Sequence, residues 1–442
     1  MNKVKEDLKR EIGVFGLSAN IVNIIVGAGI FVLPAILAEI MGAASIIAYL
    51  FCGFLLSLIM LCFAEAGSRV TTTGGGFAYV ETAFGAFPGF LVAIFAITGC
   101  VMADAAISNA LVNVLGHAFP VFKTGWVRIL FLLIVFAGLA AINVAGVKQG
   151  MGLVKINTVA KLTPLLLLIL IGFKDVSVAN FQWDYTPTLQ QFGEASLILF
   201  FAFQGGDVGL NVGGEIKDPK RTVPRAIFIG IGFVLVLYIL IQTVSQGVLG
   251  NQLAGFKEAP LAQVGKVVFG PIGFTIVLIG TGISMFGTLS GQILNNPRVL
   301  FALANDKVVP VKALAAIHPE NKTPYISIVV YAAIGFILAS IGGFKQLAVI
   351  ASASMLLMYL GVVLSVIKLR RMQPDDTTAF RIPGGMAVPL LAAITILFFL
   401  FNLTNFEKVG LLIFIGVLSI IYVAIKWFER SNTGSRQGSG DF

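Results

Sequence analysis

The chain has 442 residues, of which 57% are apolar and only 12% are charged, and its mean hydropathy is +0.96. A soluble domain carries about a quarter charged residues, so this composition excludes that class and indicates a helical membrane protein. The net charge of +9 would suit nucleic-acid binding if it formed one patch. The basic residues instead fall mostly in loops on one side of the expected membrane, which predicts both termini in the cytosol and no nucleic-acid partner.

Long apolar runs, each able to cross about 30 Å of hydrocarbon, predict an all-α integral membrane protein. We place twelve transmembrane helices in chain order at 12–41, 43–68, 87–116, 125–146, 150–173, 191–216, 223–248, 271–303, 324–341, 346–369, 384–402 and 408–428. A charged cytosolic segment, 1–11, precedes them, and a polar Gly/Ser-rich tail, 431–442, is expected to be disordered.

Glycine clusters interrupt the first and sixth of these helices. The first contains Gly27-Ala28-Gly29, and the sixth contains Gly205-Gly206 next to Asp207. Non-helical backbone survives in a membrane only where it is buried in protein or lines a cavity. Close helix packing is the simpler explanation for a glycine cluster, but two clusters five helices apart favour unwinding and an inverted repeat.

The two breaks therefore predict the domain organisation of the chain. Helices 1–5 form the first repeat, residues 12–173, and helices 6–10 form the second repeat, residues 191–369. Helices 11 and 12, residues 384–428, are accessory to this 5+5 inverted repeat.

Unwound turns of this kind have a defined chemistry. The exposed N–H groups and the positive dipole end of the following half-helix suit a carboxylate. The carbonyls that end the preceding half-helix suit an ammonium group. A site with both receptors selects a zwitterion, which points to an α-amino acid.

Ionisable residues within a membrane are costly and indicate function. Asp104 lies mid-way along the third helix, Lys161 along the fifth, and Asp207 beside the sixth-helix break. Such groups can exchange protons during a transport cycle, which suggests proton coupling. Three carboxylates nearer helix ends are interpreted as interfacial: Glu39, Glu65 and Glu194.

Enzymatic chemistry finds little support in the sequence. The only histidines, His117 and His318, are expected near opposite faces of the membrane, so they cannot share a metal site or a catalytic triad. The cysteines, Cys52, Cys62 and Cys100, all lie in apolar segments and supply neither a disulfide framework nor a metal cluster. We therefore expect no enzyme, no cofactor and no metal.

Four stretches resemble the amino acid–polyamine–organocation (APC) transporters. They are GAGIFVLP at 27–34, TTGGGFAYVETAFG at 72–85, FFAFQGGDVGLNVGGEIKDPKRTVPRAI at 200–227 and GTLSGQILNNPRVLFALANDKVVP at 287–310. The resemblance covers residues 10 to 330 best. It implies a LeuT-like fold and the transport of amino acids or related amines.

The resemblance also implies a set of site residues. Gly27, Ala28 and Gly29 would contact the substrate carboxylate, while Phe201, Gly205 and the neighbouring backbone at Gly206 would cover the substrate and hold its amino group. The third-helix wall and the eighth-helix contribution would come from Gly99, Cys100, Asp104 and Gln292. Lys161 would stand where sodium-coupled relatives bind Na⁺ and contact the first-helix break, and several relatives also have an acidic residue at the Asp207 position. From their place in the membrane, we expect either Asp207 or Asp104 to serve coupling or selectivity.

Two departures from the family pattern are informative. Phe201 stands where arginine/agmatine exchangers place Trp, which argues against that branch. Asp104 stands where those relatives have a neutral amide, so it could attract a cationic side chain or simply pair with Lys161.

The function predicted from the sequence is secondary active amino-acid transport by alternating access, proton-coupled or as an exchanger, in a bacterial inner membrane. A polyamine or cationic amino acid exchanger of the same fold is the alternative. The irregular paired breaks argue against a passive channel, and a non-transporting sensor is the remaining possibility. The expected partners are the substrate, protons and the lipid bilayer, while the transported amino acid and the oligomeric state stay open.

Overall fold

The structure is a computed structural model that describes residues 13–70, 75–146, 161–183, 185–207, 217–306, 308–372 and 380–437. These residues form helices joined by turns and loops, and the ranges contain no strand. The helices, numbered in chain order, are α1 Val14–Ile25, α2 Gly29–Met41, α3 Ser45–Arg69, α4 Gly76–Phe84, α5 Ala86–Ala118, α6 Gly125–Ala145, α7 161–172, α8 Leu189–Phe203, α9 Pro219–Leu249, α10 Pro260–Phe269, α11 Pro271–Asn305, α12 Tyr325–Ile341, α13 Phe344–Met372, α14 Ala387–Phe401 and α15 Asn405–Gln437.

Seven stretches of the described chain are long and apolar enough to cross a membrane. They are Gly29–Arg69, Ala86–Ala118, Gly125–Ala145, Arg221–Gly255, Pro271–Asn305, Phe344–Met372 and Asn405–Trp427. Four shorter apolar helices, α1, α8, α12 and α14, accompany them. Since apolar side chains such as Leu412, Ile413 and Ile420 of α15 point outward and are more than half exposed, the surface suits lipid. The protein is an integral membrane protein.

Local sequence explains where several of these helices begin and end. α9, α10 and α11 each have a proline in the first turn, where the missing N–H has no helical partner to lose. Thr188 caps α8, because its hydroxyl accepts from the N–H of Gln191 while the Gln191 side chain accepts from the Thr188 N–H. Gly85, between α4 and α5, has a φ of +93°, which suits glycine.

Most observed helix bounds lie within a few residues of the predicted ones. The start predicted for the fifth helix and the end predicted for the sixth lie outside the described residues. The short helices α4 and α10 have no counterpart among the predicted elements, because fewer than twelve residues cannot span the bilayer.

The predicted disordered tail differs from the structure. α15 continues to Gln437, so helix replaces the disorder expected from residue 431 over the first part of that tail. Extending an existing helix costs far less than nucleating a new one, so weak helix formers can follow a long apolar span.

α13 occupies a central place in the packing. It contacts α5, α3, α4, α8 and α14, while α1 packs against α9 and α2 packs against α8. Most of the buried apolar side chains form one continuous core. This packing brings the interruption between α1 and α2 next to the end of α8.

Candidate functional site

The first helix is interrupted at its glycine cluster. α1 ends at Ile25, the segment Val26–Ala28 is not helical, and α2 begins at Gly29. The last carbonyls of α1 and the first N–H groups of α2 thus lack the partners that a continuous helix would supply. The residues of the break are buried, so these groups meet protein or substrate rather than lipid.

The sixth predicted helix also ends early. α8 stops at Phe203, and Gln204–Asp207 form a turn in which Gly205 has a φ of +97°. The Gln204 amide donates to the Ser352 hydroxyl of α13 over 2.9 Å, which anchors the turn. Residues 208–216, the rest of this predicted helix, lie outside the described residues.

The two interruptions lie against each other, and glycine permits the approach. A β-carbon on Gly29 would lie 2.6 Å from the Cβ atom of Ala202 in α8. A β-carbon on Gly205 would lie 2.8 Å from a methyl group of Ile24 in α1. Real side chains do not tolerate such distances, so the pairing of the two breaks requires glycine at both positions.

Two side chains from other helices satisfy the carbonyls that end the half-helices. The Tyr238 hydroxyl of α9 lies 3.0 Å from the Ile25 carbonyl oxygen and 3.0 Å from that of Ala202, within hydrogen-bonding distance of both. The Lys161 ammonium, which is 2% exposed, donates to the carbonyl of Asn23. Lys161 therefore reaches the last turn of α1, next to the first-helix break, from α7.

Sequence reasoning missed Tyr238. It stands in the apolar run VLVLYILIQ of α9, and nothing local distinguishes it from an aromatic core residue. A tyrosine in a spanning segment needs a partner for its hydroxyl, which was the available signal. The identity of that partner depends on the packing of α1, α8 and α9.

A tyrosine hydroxyl also caps each of the two predicted intramembrane aspartates. Tyr359 of α13 donates to Asp207 over 2.7 Å. Tyr331 of α12 donates to Asp104 over 2.6 Å and accepts from the Asn296 amide of α11 over 2.9 Å. Asp104 and Lys161 do not form an ion pair in the described part of the chain, so the pairing considered from the sequence is absent.

The remaining predicted site residues have neighbours on several different helices. Gly27 lies beside Thr288 of α11, and Gly206 lies beside Met60 and Ile25. Cys100 lies one turn before Asp104 on α5. The approach of Thr288 to Gly27 connects α11 with the first break.

Two predicted pocket residues make packing contacts with α13. The Phe201 ring meets the Phe344 ring edge-on at 5.7 Å. A β-carbon on Gly99 would lie 2.7 Å from the Met355 side chain, so Gly99 lets α5 and α13 approach closely. Gln292 has a buried amide oxygen that accepts no hydrogen bond within the described chain.

One carboxylate interpreted as interfacial is instead part of a buried network. Glu65 of α3 is fully buried and accepts hydrogen bonds from Arg370 of α13 at 2.7 and 2.5 Å, from Arg69 at 3.2 Å and from the Ile382 N–H at 3.0 Å. Glu194, by contrast, makes a half-exposed ion pair with Lys345 at 2.9 Å. The network joins α3, α13 and the segment before α14.

Comparison with known proteins gives the family. The family model described as amino acid permease matches residues 12–411. The chain belongs to the amino acid permease family. This match confirms the APC resemblance seen in the sequence. The family model covers most of the chain of this permease.

The permease is similar to several curated transporters. It is 29% identical to a serine/threonine exchanger of Bacillus subtilis, over 96% of this chain and 99% of the relative. It is 27% identical to a branched-chain amino acid permease of Bacillus subtilis, over 95% of this chain and 93% of the relative. It is 26% identical to the human large neutral amino acids transporter small subunit 2, over 96% of this chain and 82% of the relative.

Proposed function

We propose that this permease is a secondary active transporter of amino acids that works by alternating access, either coupled to protons or as an exchanger. The observation that carries the proposal is the contact between two interrupted helices. The breaks at Val26–Ala28 and Gln204–Asp207 place the first N–H groups of α2 and the helix-ending carbonyls of α1 and α8 within one small region. Those groups complement the carboxylate and the ammonium of an amino acid.

We further propose the twelve-helix arrangement with a 5+5 inverted repeat and two accessory helices, α14 and α15. The interruptions in the first and sixth predicted helices support it, as does the run of apolar helices that follows each one. The excess of basic residues in loops on one side supports cytosolic termini. The two bacterial relatives support a bacterial inner membrane as the location.

Within this proposal the site residues have separate tasks. Gly27, Ala28 and Gly29 bind the carboxylate through backbone N–H groups, and the backbone around Phe201, Gly205 and Gly206 receives the ammonium. The Lys161 contact with the Asn23 carbonyl supports a role for that lysine as a built-in cation that holds the first break. Gly99, Cys100, Asp104 and Gln292 line the side-chain end.

Counterflow in proteoliposomes tests the proposal. Liposomes that contain the purified permease are loaded with an unlabelled amino acid mixture, and a trace of labelled amino acid is added outside. An exchanger or symporter accumulates the label transiently above its external concentration. A passive channel gives no overshoot, and a sensor gives no flux, so either result would overturn the proposal.

Asp207 is the residue that we assign to proton coupling, since it lies in the sixth-helix break and its carboxylate is held by Tyr359. Asp207→Asn keeps the shape of the side chain but removes its ability to carry a proton. We expect the pH dependence of uptake to flatten in this variant. An unchanged pH profile would remove Asp207 from the coupling role.

A diamine or polyamine exchanger of the same fold is the second candidate. The observation that favours it is that the described chain holds two carboxylates within its apolar helical core, Asp104 and Asp207, each bound by a tyrosine hydroxyl. Competition of cadaverine and of neutral amino acids against the labelled substrate separates the two functions. Inhibition by cadaverine alone would favour the diamine exchanger.

A further inference from the structure

Helix α9 carries a polar stripe through an otherwise apolar span. Helical spacing places the members of this stripe on one face of α9: Tyr238, Gln242, Ser245 and Gln246. Each of these side chains is at most 1% exposed. Polar groups are costly inside a membrane and commonly have a function there, so the stripe requires an explanation.

Neighbouring elements satisfy part of the polar stripe. The Gln242 amide donates to the Ser45 hydroxyl over 2.8 Å, and the Gln242 amide oxygen accepts from Tyr49 over 3.2 Å. Both partners lie in the first two turns of α3. The Gln246 amide donates to the Asn180 carbonyl over 3.0 Å. Hydrogen bonds of this kind also hold helices together in lipid, so they do not by themselves point to transport.

Two oxygens of the polar stripe have no partner in the described part of the chain. Ser245 Oγ and Gln246 Oε1 are both buried, and neither makes a hydrogen bond there. Buried polar atoms are nearly always paired, and ordered water is the usual partner where the protein supplies none. A stripe that only joined helices would be fully paired within the protein, so these two oxygens indicate water between the helices.

One end of the polar stripe lies at a cavity of about 220 Å³ on the face of the protein that is predicted to be external. Polar and small residues from three separate segments line this cavity, among them Ala44, Gln182 and Asn251. Ser45 directly follows Ala44, and Gln246 precedes Asn251 by little more than one helical turn. The cavity therefore opens beside the part of the stripe that holds the two unpaired oxygens.

The other end of the polar stripe lies at the two helix breaks. The Tyr238 hydroxyl is within 3.0 Å of the carbonyl oxygens of Ile25 and Ala202, which end the two half-helices. Tyr238 precedes Gln246 by eight residues, or about 12 Å along the helix axis. The turn that follows α8 contains Asp207. The stripe thus connects the external cavity with the region that holds this carboxylate.

We propose that the polar stripe of α9 holds a file of water molecules along which protons pass between the external cavity and the helix breaks. The inference rests on the proton-coupled form of the proposed function and gives it a route. Each water accepts a proton on one side and releases another on the other side, while the amides and hydroxyls hold the waters in place. Glu39 lines the cavity and pairs with Lys257 at 2.6 Å, so this pair adds no net charge at the mouth of the route.

Proton-driven uptake and counterflow, measured side by side in proteoliposomes, test the route. Proton-driven uptake is measured with a labelled amino acid mixture outside and an imposed pH gradient, acidic outside. Counterflow is measured at equal pH in liposomes preloaded with unlabelled amino acids. Net uptake requires a proton to enter and leave in every cycle, whereas exchange can proceed while the carrier keeps its proton. Only proton-driven uptake therefore needs the route.

Ser245→Ala is the decisive variant, because it removes a hydroxyl that has no hydrogen bond to lose in the described chain. We expect proton-driven uptake to fall about two- to tenfold relative to counterflow, since one hydrogen bond to a water of the route is worth that factor. Ser365→Ala is the matched control. Ser365 is equally buried, but its hydroxyl donates to the Val362 carbonyl of its own helix over 2.7 Å, so this variant should keep the wild-type ratio.

Gln246→Leu removes the second unpaired oxygen and replaces an amide with an apolar group of similar size. We expect a larger fall in the same ratio, because this variant withdraws two polar groups from the route. Gln252→Leu makes the same change at an exposed glutamine and should keep the wild-type ratio. Gln246→Leu also loses the hydrogen bond to Asn180, so Ser245→Ala decides the matter if Gln246→Leu does not fold.

Several results would overturn the inference. A wild-type ratio of proton-driven uptake to counterflow in Ser245→Ala would do so, and equal losses in the two assays would show that the polar stripe is structural. Wild-type permease that performs counterflow without responding to a pH gradient, or that responds to a sodium gradient instead, would overturn the route while amino-acid transport still stands. Absence of counterflow would instead overturn the proposed function.

Discussion

Removing the charge of Glu65 should destabilise the folded permease strongly. The Glu65 carboxylate is fully buried and accepts from two arginines and one backbone N–H, with both Arg370 contacts at 2.7 Å or less. Glu65→Gln keeps the shape but replaces an acceptor oxygen with an NH₂ group that faces guanidinium donors. Breaking a buried ion pair by removing one partner costs about 3–5 kcal/mol, because the other charge stays buried without compensation.

Denaturant-induced unfolding of purified protein in micelles measures this effect. Glu194→Gln is the matched control, because it is the same carboxylate-to-amide change in a pair whose side chains are 45% and 56% exposed. Exposed pairs contribute only about 0–1 kcal/mol. A loss of stability in Glu65→Gln no larger than that in Glu194→Gln would refute the reasoning.

A milder change of the partner refines the test. Arg370→Lys keeps the positive charge but loses the planar fork that binds both carboxylate oxygens. We expect a loss of stability between those of the two glutamate variants. An Arg370→Lys protein as stable as wild type would show that charge alone, without the paired geometry, stabilises the network.

Three further predictions concern the helix breaks. Lys161→Ala should abolish uptake while the protein still reaches the membrane, since the substitution leaves the Asn23 carbonyl without its donor. Wild-type uptake in this variant would exclude a role for Lys161 in transport. Lys174→Ala, at an exposed lysine, serves as the control in the same assay. Gly29→Ala should abolish substrate-induced thermal stabilisation, because its β-carbon needs space that α8 occupies, whereas Gly232→Ala meets no atom within 4 Å and should bind normally. Tyr238→Phe should lower the free energy of unfolding by about 1–3 kcal/mol, because it removes the one hydroxyl that lies within hydrogen-bonding distance of two buried carbonyls. An unchanged midpoint would contradict this.

The sequence predicted the interruptions well because their causes are local. A helix that crosses hydrocarbon must satisfy its own backbone, so Gly27, Gly29 and Gly205 in spanning segments are informative without knowledge of any neighbour. The approximate helix bounds likewise follow from composition, while the excess of basic residues only predicts which side of the membrane each loop faces. The short helices α4 and α10 were missed because a helix that does not span leaves no long apolar run.

Partners across the fold could not be predicted in this way. Glu65 was interpreted as interfacial from its position near a helix end, yet Arg370 binds it across 305 residues of sequence. Asp104 was considered a partner of Lys161, whereas Tyr331 binds the aspartate and the Asn23 carbonyl binds the lysine.

By itself, then, the sequence determined that this chain spans a membrane, which way it is expected to face and where its first helix breaks, since each depends on residues next to one another. Only the tertiary structure decided which groups meet at those breaks. Tyr238 illustrates the difference, because it lies within 3.0 Å of carbonyls from both interrupted helices and no local pattern singles it out. A hydrogen bond has a range of a few ångströms, and only helix packing brings distant parts of the chain that close.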